Sequence, residues 1–250
     1  MGSYNLVTIE GKQILVTGAG SGIGRAVSVE ASKLGAKVIL LDINKEALDE
    51  TAALLEGTGH TLCQVNLLDT DSIKSFVNRV CNLDGLVNNA GMSHTKPLRF
   101  ISEGDFDKVI SLNTKAPFLL TNLLYKRKKF NRNASIVFTS SLAGLYTFTP
   151  ANGLYSLTKS ALTSYAKSCA VEFAGKGIRV NSVNPSMVNT HLKDALSFSQ
   201  EEYEKDIQKY PLKRYAEPEE IAYSIIFLLS NASSYITGHA LLVDGGRSLK

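Results

Sequence analysis

Short apolar segments recur along this chain, and stretches with helix-like spacing of apolar residues separate most of them. Segments of this length are typical of buried β-strands. Their alternation with helices favours parallel pairing, because each helix carries the chain back across the sheet. The predicted strands cover residues 13–17, 37–41, 61–65, 85–88, 135–140, 179–183 and 240–243.

The length and composition indicate how many domains to expect. The chain has 250 residues, of which 44% are apolar and 20% are charged, so it can bury one substantial core. No linker rich in proline, glycine or serine interrupts it. We therefore expect an α/β protein with a single domain over residues 1–250.

A glycine-rich turn joins the first predicted strand to a helix-like stretch at residues 25–34. Gly18 permits a tight turn, Gly22 removes a Cβ where a phosphate must approach the backbone, and Gly24 lets the helix pack closely on the strand. The N-terminus of that helix favours an anion. The pattern predicts a dinucleotide site.

Asp42 ends the second predicted strand, about 20 residues past the glycines. Its carboxylate can accept hydrogen bonds from an adenosine ribose diol, and its charge repels a 2′-phosphate, which favours NAD(H) over NADP(H). An alternative role is the N-cap of the next helix, for which Asn44 competes. Arg25 and Lys45 could bind a 2′-phosphate, but neither removes the repulsion from Asp42.

Tyr155 and Lys159 stand one helical turn apart. A tyrosine ionises near pH ~10, so a general base near neutrality needs a positive charge that favours its phenolate. Lys159, four residues after Tyr155, supplies that charge. The spacing alone is also typical of an exposed amphipathic helix, and the nucleotide motif is what favours a catalytic pair.

Together these motifs resemble the short-chain dehydrogenase/reductase family. The segments TGAGSGIG at 17–24, NNAG at 88–91 and YSLTK at 155–159 stand in the family's order, and the similarity covers nearly the whole chain. The resemblance implies a doubly wound Rossmann fold, with a parallel seven-stranded sheet and helices on both faces. It places the reaction beyond the C-terminal ends of the strands.

The resemblance also implies four catalytic residues. Ser141 would orient a carbonyl and stabilise its developing charge, while Tyr155 exchanges a proton with that oxygen. Lys159 would also bond the nicotinamide ribose. Asn113 would hold a water that links the lysine to solvent; a buried helix kink is the compatible alternative. Ser140, the preceding residue, is the alternative serine. In the family the catalytic serine stands directly before a Leu-Ala-Gly segment, which favours Ser141.

Further residues are assigned to the cofactor, which we predict to be NAD. Asn66 replaces the family's common aspartate, and its carbonyl can still accept from the adenine amino group. Thr190 and the Val188 backbone are expected near the nicotinamide. The predicted cofactor site comprises Gly18, Ser21, Gly22, Ile23, Gly24, Asp42, Asn66, Leu67, Asn89, Ala90, Gly91, Tyr155, Lys159, Pro185, Val188 and Thr190.

Residues from about 188 to 211 resemble the family's substrate lid. Ser186 departs from the glycine that usually follows the proline there; its side chain points at the substrate, or the turn avoids a positive φ. Either alternative predicts a smaller pocket. Six apolar or aromatic residues are candidates for substrate contact, with ordinary core packing as the alternative role: Tyr146, Phe148, Met187, Leu192, Leu196 and Phe198.

The predicted function is NAD(H)-dependent hydride transfer between nicotinamide and a secondary alcohol or ketone. The alternative is a 3-oxoacyl-[acyl-carrier-protein] reductase that uses NAD(P)H, an assignment common among the family's bacterial members. A third hypothesis is a non-catalytic NAD-binding sensor or scaffold, against which the intact serine, tyrosine and lysine argue.

Charge and minor residue types limit the partners. The net charge of +4 owes much to residues 126–129 and Arg132, which we interpret as a solvated loop, although Tyr125 and Phe130 flank it. We expect no nucleic acid. Three dispersed cysteines are typical of a reduced cytoplasmic protein, the four histidines show no metal spacing, and the longest late apolar run, residues 225–229, is too short for a bilayer. The resemblance implies a homotetramer.

Overall fold

The computed structural model describes residues 7–190 and 199–249. Within these residues the strands are β1 Gln13–Thr17, β2 Lys37–Asp42, β3 Thr61–Gln64, β4 Leu83–Asn88, β5 Phe130–Thr139, β6 Arg179–Pro185 and β7 Ala240–Val243. They form one sheet in the order β3-β2-β1-β4-β5-β6-β7, and every neighbouring pair is parallel. The predicted doubly wound parallel sheet is confirmed.

Helices cover both faces of the sheet, as predicted. In the described residues they are α1 Gly22–Lys33, α2 Lys45–Ala52, α3 Thr70–Arg79, α4 Glu103–Ile110, α5 Ala116–Lys126, α6 Gly153–Phe173, α7 Gln200–Ile207 and α8 Pro218–Leu229. Side chains of α1 and α8 pack on one face, and those of α3, α5 and α6 pack on the other. None of these helices is long and apolar enough to cross a membrane.

Strand β5 is longer than its apolar core. The apolar pattern predicts a start at residue 135, whereas the strand begins at Phe130. The extension pairs irregularly with β4: the Leu83 N–H donates to the Lys129 carbonyl at 2.8 Å, and Asn133 takes a positive φ of 65°. Asn131, Arg132 and Asn133 interrupt the apolar sequence of this extension, so an apolar pattern does not reveal it.

Between α4 and α5 the chain stays helical but widens into a π-helical segment, Ser111–Lys115. Such segments are rare and occur often at functional sites. Asn113 lies inside it and is fully buried. The predicted helix kink at Asn113 therefore exists.

Because the strands are parallel, their carboxyl ends lie at one edge of the sheet. The chain winds outward from β1 towards β3 in one direction and from β4 towards β7 in the other. A crevice opens between β1 and β4 where the winding reverses, and ligands bind at such switch points. The predicted site residues come from the strand ends, loops and helices at this edge.

Candidate active site

The glycine turn after β1 has no room for side chains. Gly18 has a φ of +66°, and a Cβ there would lie 2.9 Å from the Ala90 Cα. A Cβ on Gly24 would lie 2.0 Å from the Gly18 carbonyl oxygen, which is far inside van der Waals contact. Gly22 has a φ of +51°, and a Cβ there would lie 3.2 Å from the Thr190 methyl carbon. This backbone fits the close approach of a diphosphate.

Thr17 ties this turn to the loop after β4. Its hydroxyl accepts the backbone N–H groups of Asn89 at 2.9 Å and Ala90 at 3.0 Å, and donates to the Val87 carbonyl. The Asn89 side-chain amide donates to the Thr17 carbonyl at 3.2 Å. The NNAG segment thus supports the glycine turn, and its predicted contact with the cofactor stays a prediction.

Asp42 braces the glycine turn from the end of β2. Its Oδ2 accepts the Gly20 N–H at 3.0 Å, and its Oδ1 accepts the Asn44 N–H at 3.0 Å. Asn44, whose Oδ1 accepts the Ala47 N–H, is the N-cap of α2. The alternative of Asp42 as that cap is therefore wrong. Each carboxylate oxygen keeps a second lone pair for a ribose hydroxyl.

The two cations considered for a 2′-phosphate are already engaged. Arg25 donates to the Gly20 carbonyl at 2.6 Å and pairs with Glu50 at 2.8 Å. Lys45 pairs with Asp49 one turn along α2. Neither arrangement offers an unpaired positive charge beside Asp42.

Asn66 and Leu67 follow β3 at the edge of the sheet where the strands end. The Asn66 Oδ1 accepts the Leu68 N–H at 2.9 Å, and the residue is exposed. This Asx turn leads into α3, which begins after its cap residue Asp69. One lone pair of the Asn66 carbonyl stays free for an adenine amino group.

Helix α6 presents Tyr155 and Lys159 on one face, and Ser141 reaches them from the loop after β5. The Ser141 side chain is close enough to the Tyr155 phenol to favour its ionised form by hydrogen bonding. The Lys159 ammonium lies 5.7 Å from the centroid of the Tyr155 ring and donates to the Thr139 carbonyl at 2.8 Å. The structure therefore brings together the three residues that the motifs predict. Sequence reasoning missed Thr139, whose backbone holds the lysine.

Burial controls the ionisation of this group. It lowers the pKa of Lys159 to about 8. It raises the pKa of Tyr155, and the hydrogen bond from Ser141 opposes that rise. Burial is thus the larger influence on the phenol, and the expectation that Lys159 holds it near ionisation during the reaction stays a prediction.

Asn113 connects the π-helical segment to the catalytic residues. Its Oδ1 accepts the Met92 N–H at 2.8 Å, and its Nδ2 donates to the Met92 carbonyl at 2.9 Å and to the Thr158 hydroxyl at 3.2 Å. Thr158 precedes Lys159, and a Cβ on Gly91 would lie 3.5 Å from the Lys159 Nζ. Asn113 thus fixes the surroundings of the lysine, while the water relay stays a prediction.

Ser140 has a different role from Ser141. Its hydroxyl donates to the Lys159 carbonyl at 2.7 Å and shares a hydrogen bond with Thr163 at 2.8 Å. Thr163 in turn donates to the Asn184 side chain at 3.1 Å. This buried network joins β5, α6 and β6, which leaves Ser141 as the serine at the site. Thr163 follows Lys159 by four residues, as Lys159 follows Tyr155. This spacing places Thr163 on the same face of α6 and could have identified it from the sequence.

The β6 loop, residues 185–190, crosses the crevice. The Pro185 carbonyl accepts a hydrogen bond of 2.8 Å from the N–H of Leu142, the residue that follows Ser141. Thr190 lies at the other end, where its methyl carbon is 3.2 Å from the Cβ position of Gly22. The loop therefore spans the distance from the catalytic serine to the glycine turn. Val188 is buried within it and pairs with Ala216.

Ser186 does not take a positive φ, so the turn avoids the conformation that glycine would allow. The alternative that its side chain reaches the substrate stays a prediction. Tyr146 and Phe148 are exposed, and Met187 is half-buried. His191, Leu192, Leu196 and Phe198 lie outside the described residues.

His94 and the basic run take no part in the catalytic group. The His94 Nε2 lies 3.8 Å from the Asp105 carboxylate, which Lys96 binds at 2.6 Å. Tyr125 stacks on Phe173 with a centroid distance of 3.8 Å, so it is not a free platform for a nucleobase. Across residues 7–190 and 199–249, no three His, Cys, Asp or Glu side chains are grouped as metal ligands.

Comparison with known proteins supports this geometry. Residues 18–248 match a family model described as enoyl-(acyl carrier protein) reductase. A 3-oxoacyl-[acyl-carrier-protein] reductase of Thermotoga maritima is 38% identical over 244 residues, which cover 95% of this chain and 98% of that protein.

Two solved structures are similar throughout. A 3-ketoacyl-(acyl-carrier-protein) reductase from Brucella melitensis, complexed with NADH, has a TM-score of 0.86 and 29% identity, covering 96% of this chain and 100% of the other. A putative NAD(P)-dependent gluconate 5-dehydrogenase from Beutenbergia cavernae, with bound NADP, has a TM-score of 0.88 and 28% identity, covering 98% and 100%.

Proposed function

The chain belongs to the short-chain dehydrogenase/reductase family, and we propose that it reduces 3-oxoacyl thioesters with NADH. The observation that carries this proposal is the convergence of Ser141, Tyr155 and Lys159 beside the glycine turn. Relatives named 3-oxoacyl-[acyl-carrier-protein] reductase support the thioester substrate.

The catalytic residues are suited to reduction. The Tyr155 phenol gives its proton to the carbonyl oxygen, and the Ser141 hydroxyl donates a second hydrogen bond to that oxygen. Lys159, with a pKa of about 8, is mostly charged at neutral pH and stabilises the phenolate that remains. A bound nicotinamide supplies the hydride that the carbonyl carbon accepts. The raised pKa of Tyr155 keeps it protonated for this role.

Asp42 supports the preference for NAD(H). Its carboxylate stands where the adenosine ribose is expected, and Arg25 and Lys45 are paired with other side chains. A 2′-phosphate would therefore meet a negative charge with no free cation beside it. The solved relatives contain NADH or NADP, so the preference needs its own measurement.

A second candidate substrate is a free secondary alcohol or ketone, as predicted from the motifs. Asp42 favours it, because NAD(H) is commonly used for oxidations. The exposed Tyr146 and Phe148, 59% and 74% accessible, offer apolar contacts to either an acyl chain or a compact ketone. The non-catalytic sensor is a third hypothesis, against which the assembled catalytic group argues.

The test is reduction of acetoacetyl-CoA by the purified chain with NADH and with NADPH, followed by the absorbance of the reduced nicotinamide. We expect turnover with NADH and none with Tyr155→Phe. Faster turnover of simple ketones or alcohols would favour the second candidate. NADH binding without turnover of any substrate would favour the sensor.

The cellular location and the oligomeric assembly of the chain are also proposals. We propose a cytoplasmic homotetramer that pairs α5 and α6 and the region around β7 between copies. Light scattering of the purified chain measures its mass, and a monomer would contradict the assembly.

A further inference from the structure

Tyr155 stands in the first turn of α6, where a helix is held least firmly by its own hydrogen bonds. The N-cap of α6 is Asn152, whose side chain makes no capping hydrogen bond within the part of the chain that the structure describes. A helix without such a cap is less stable at its start. The position of the catalytic phenol therefore depends on contacts from outside α6.

The residue before this N-cap has a strained backbone. Ala151 takes a positive φ of 65°, in the left-handed region that a side chain disfavours. Strained backbone persists only where the surrounding contacts enforce it, and it is found often at active sites. Here the Ala151 carbonyl accepts the Lys96 N–H at 2.7 Å. A neighbouring loop thus helps to set the direction in which α6 begins.

That loop, residues 92–101, joins the NNAG segment to α4. At its first residue, the N–H and carbonyl of Met92 both bind the Asn113 side chain, at 2.8 and 2.9 Å. Further along, Leu98 packs directly on the first residue of α6, because a Cβ on Gly153 would lie 2.7 Å from the Leu98 Cδ2. The loop therefore contacts the start of α6 with a side chain as well as with its backbone.

Asp105, in the first turn of α4, clamps the 92–101 loop. Its Oδ2 accepts the Lys96 ammonium at 2.6 Å, the Ser102 N–H at 2.9 Å and the Ser102 hydroxyl at 2.7 Å. Ser102 is the N-cap of α4 and forms a capping box with Asp105. A carboxylate that this cap already orders loses little further side-chain freedom when it binds the ammonium, so the ion pair is more favourable than an isolated exposed pair. The Lys96 ammonium and the Ser102 groups hold the pKa of Asp105 well below its usual range, so the clamp is ionised at neutral pH.

We propose that Asp105 and Lys96 are positioning residues for Tyr155. The clamp holds the 92–101 loop in place, the Lys96 N–H holds Ala151 in its left-handed conformation, and that conformation sets where the first turn of α6 begins. Without the clamp, the loop moves, the alanine relaxes to a negative φ, and the phenol is within reach of the substrate oxygen for a smaller fraction of the time. The inference rests on the proposed function for the role of Tyr155.

The experiment compares Lys96→Met, Ala151→Gly and the double variant with the parent. Lys33→Met is the matched control, because it breaks an ion pair of 2.7 Å with Glu30 at the far end of α1. Steady-state reduction of acetoacetyl-CoA measures kcat, and NADH fluorescence measures Kd. We expect Lys96→Met to lower kcat by about threefold to tenfold, which is the size of one net hydrogen bond. The Kd for NADH should stay within about twofold, and Lys33→Met should change neither quantity.

The double variant tests whether the clamp acts through the strained residue. Glycine has no side chain that disfavours a positive φ, so Ala151→Gly should make the clamp less necessary. On that background, Lys96→Met should lower kcat by less than about twofold. A loss that arises in any other way would be the same on both backgrounds. An equal loss on both would therefore overturn the inference, as would a parent-like kcat in Lys96→Met.

Hydrogen exchange separates this inference from the proposed function. The Ser156 N–H donates to the Asn152 carbonyl at 2.9 Å, so its exchange rate measures how often the first turn of α6 opens. It should exchange faster in Lys96→Met than in Lys33→Met even if the chain reduces no carbonyl compound, in which case the proposed function alone fails. Equal exchange in these two variants would overturn the positioning role, while turnover by the parent would leave the proposed function intact. If Lys96→Met does not fold, Asp105→Asn breaks the same ion pair and carries the same comparison.

Discussion

The two ends of the crevice are built in different ways. At the nucleotide end, the glycine turn is defined by what is missing: a Cβ at Gly18 or Gly24 would collide with backbone atoms. At the catalytic end, Ser141, Tyr155 and Lys159 are defined by their functional groups and by the burial around them. Steric exclusion specifies the first end, and electrostatics specifies the second.

This difference predicts different consequences of substitution. Adding atoms at the nucleotide end should destabilise the fold, because close packing leaves no room to adjust. Removing a functional group at the catalytic end should remove chemistry and leave the fold intact. Four measurements test this distinction.

The largest expected effect is that of Tyr155→Phe. Loss of the proton donor should lower kcat by about a thousandfold, equivalent to about 4 kcal/mol, because general acid catalysis depends on this hydroxyl. The ring remains, so Kd for NADH by fluorescence should stay within about twofold. Tyr223→Phe controls for the loss of a phenol. Activity of Tyr155→Phe equal to that of the parent would refute the assigned role.

Gly24→Ala should destabilise the fold at the other end. The added methyl group would lie 2.0 Å from the Gly18 carbonyl oxygen, so backbone must move. We expect the free energy of unfolding in urea to fall by about 3 kcal/mol, at the upper end of overpacking effects. Gly175→Ala is the matched control, since no atom of residues 7–190 and 199–249 outside its chain neighbours lies within 4 Å of its Cβ position. An equal and small effect of both substitutions would contradict the steric description.

The same distinction explains how much the sequence could predict. Glycine spacing and apolar alternation are local signals, so the strands, their parallel pairing and the turn at Gly18 follow from short motifs. The partner of Lys159 could not be predicted, because the Thr139 carbonyl is 20 residues away along the chain and meets the ammonium only through the packing of α6 against the end of β5. The raised pKa of Tyr155 was missed for a similar reason, since burial depends on the whole fold.

Lys159 links the catalytic end to stability through pH. Its folded pKa of about 8 lies below its ordinary value of 10.5, so between these values the unfolded chain binds more protons and stability rises with pH. From about pH 7 to about pH 9.5 this group should add about 2 kcal/mol to the free energy of unfolding. Lys159→Met lacks this contribution, and thiols such as Cys169 titrate in both proteins and cancel. Urea unfolding at several pH values measures the difference, and parallel pH profiles would contradict the buried charge.

Asp42→Asn should have the smallest effect. It tests the role of charge at the nucleotide end, which is otherwise specified by steric exclusion. The one side-chain oxygen of asparagine can accept either the Gly20 N–H or the Asn44 N–H, so one of these two hydrogen bonds is lost, while the charge that opposes a 2′-phosphate disappears. We expect the ratio of kcat/KM for NADH to that for NADPH to fall by about tenfold, equivalent to about 1.4 kcal/mol. Glu46→Gln, an exposed acid in the first turn of α2, controls for net charge. If both variants shift the ratio equally, the preference comes from the general field of α2; if only Asp42→Asn shifts it, one carboxylate makes an otherwise steric site selective.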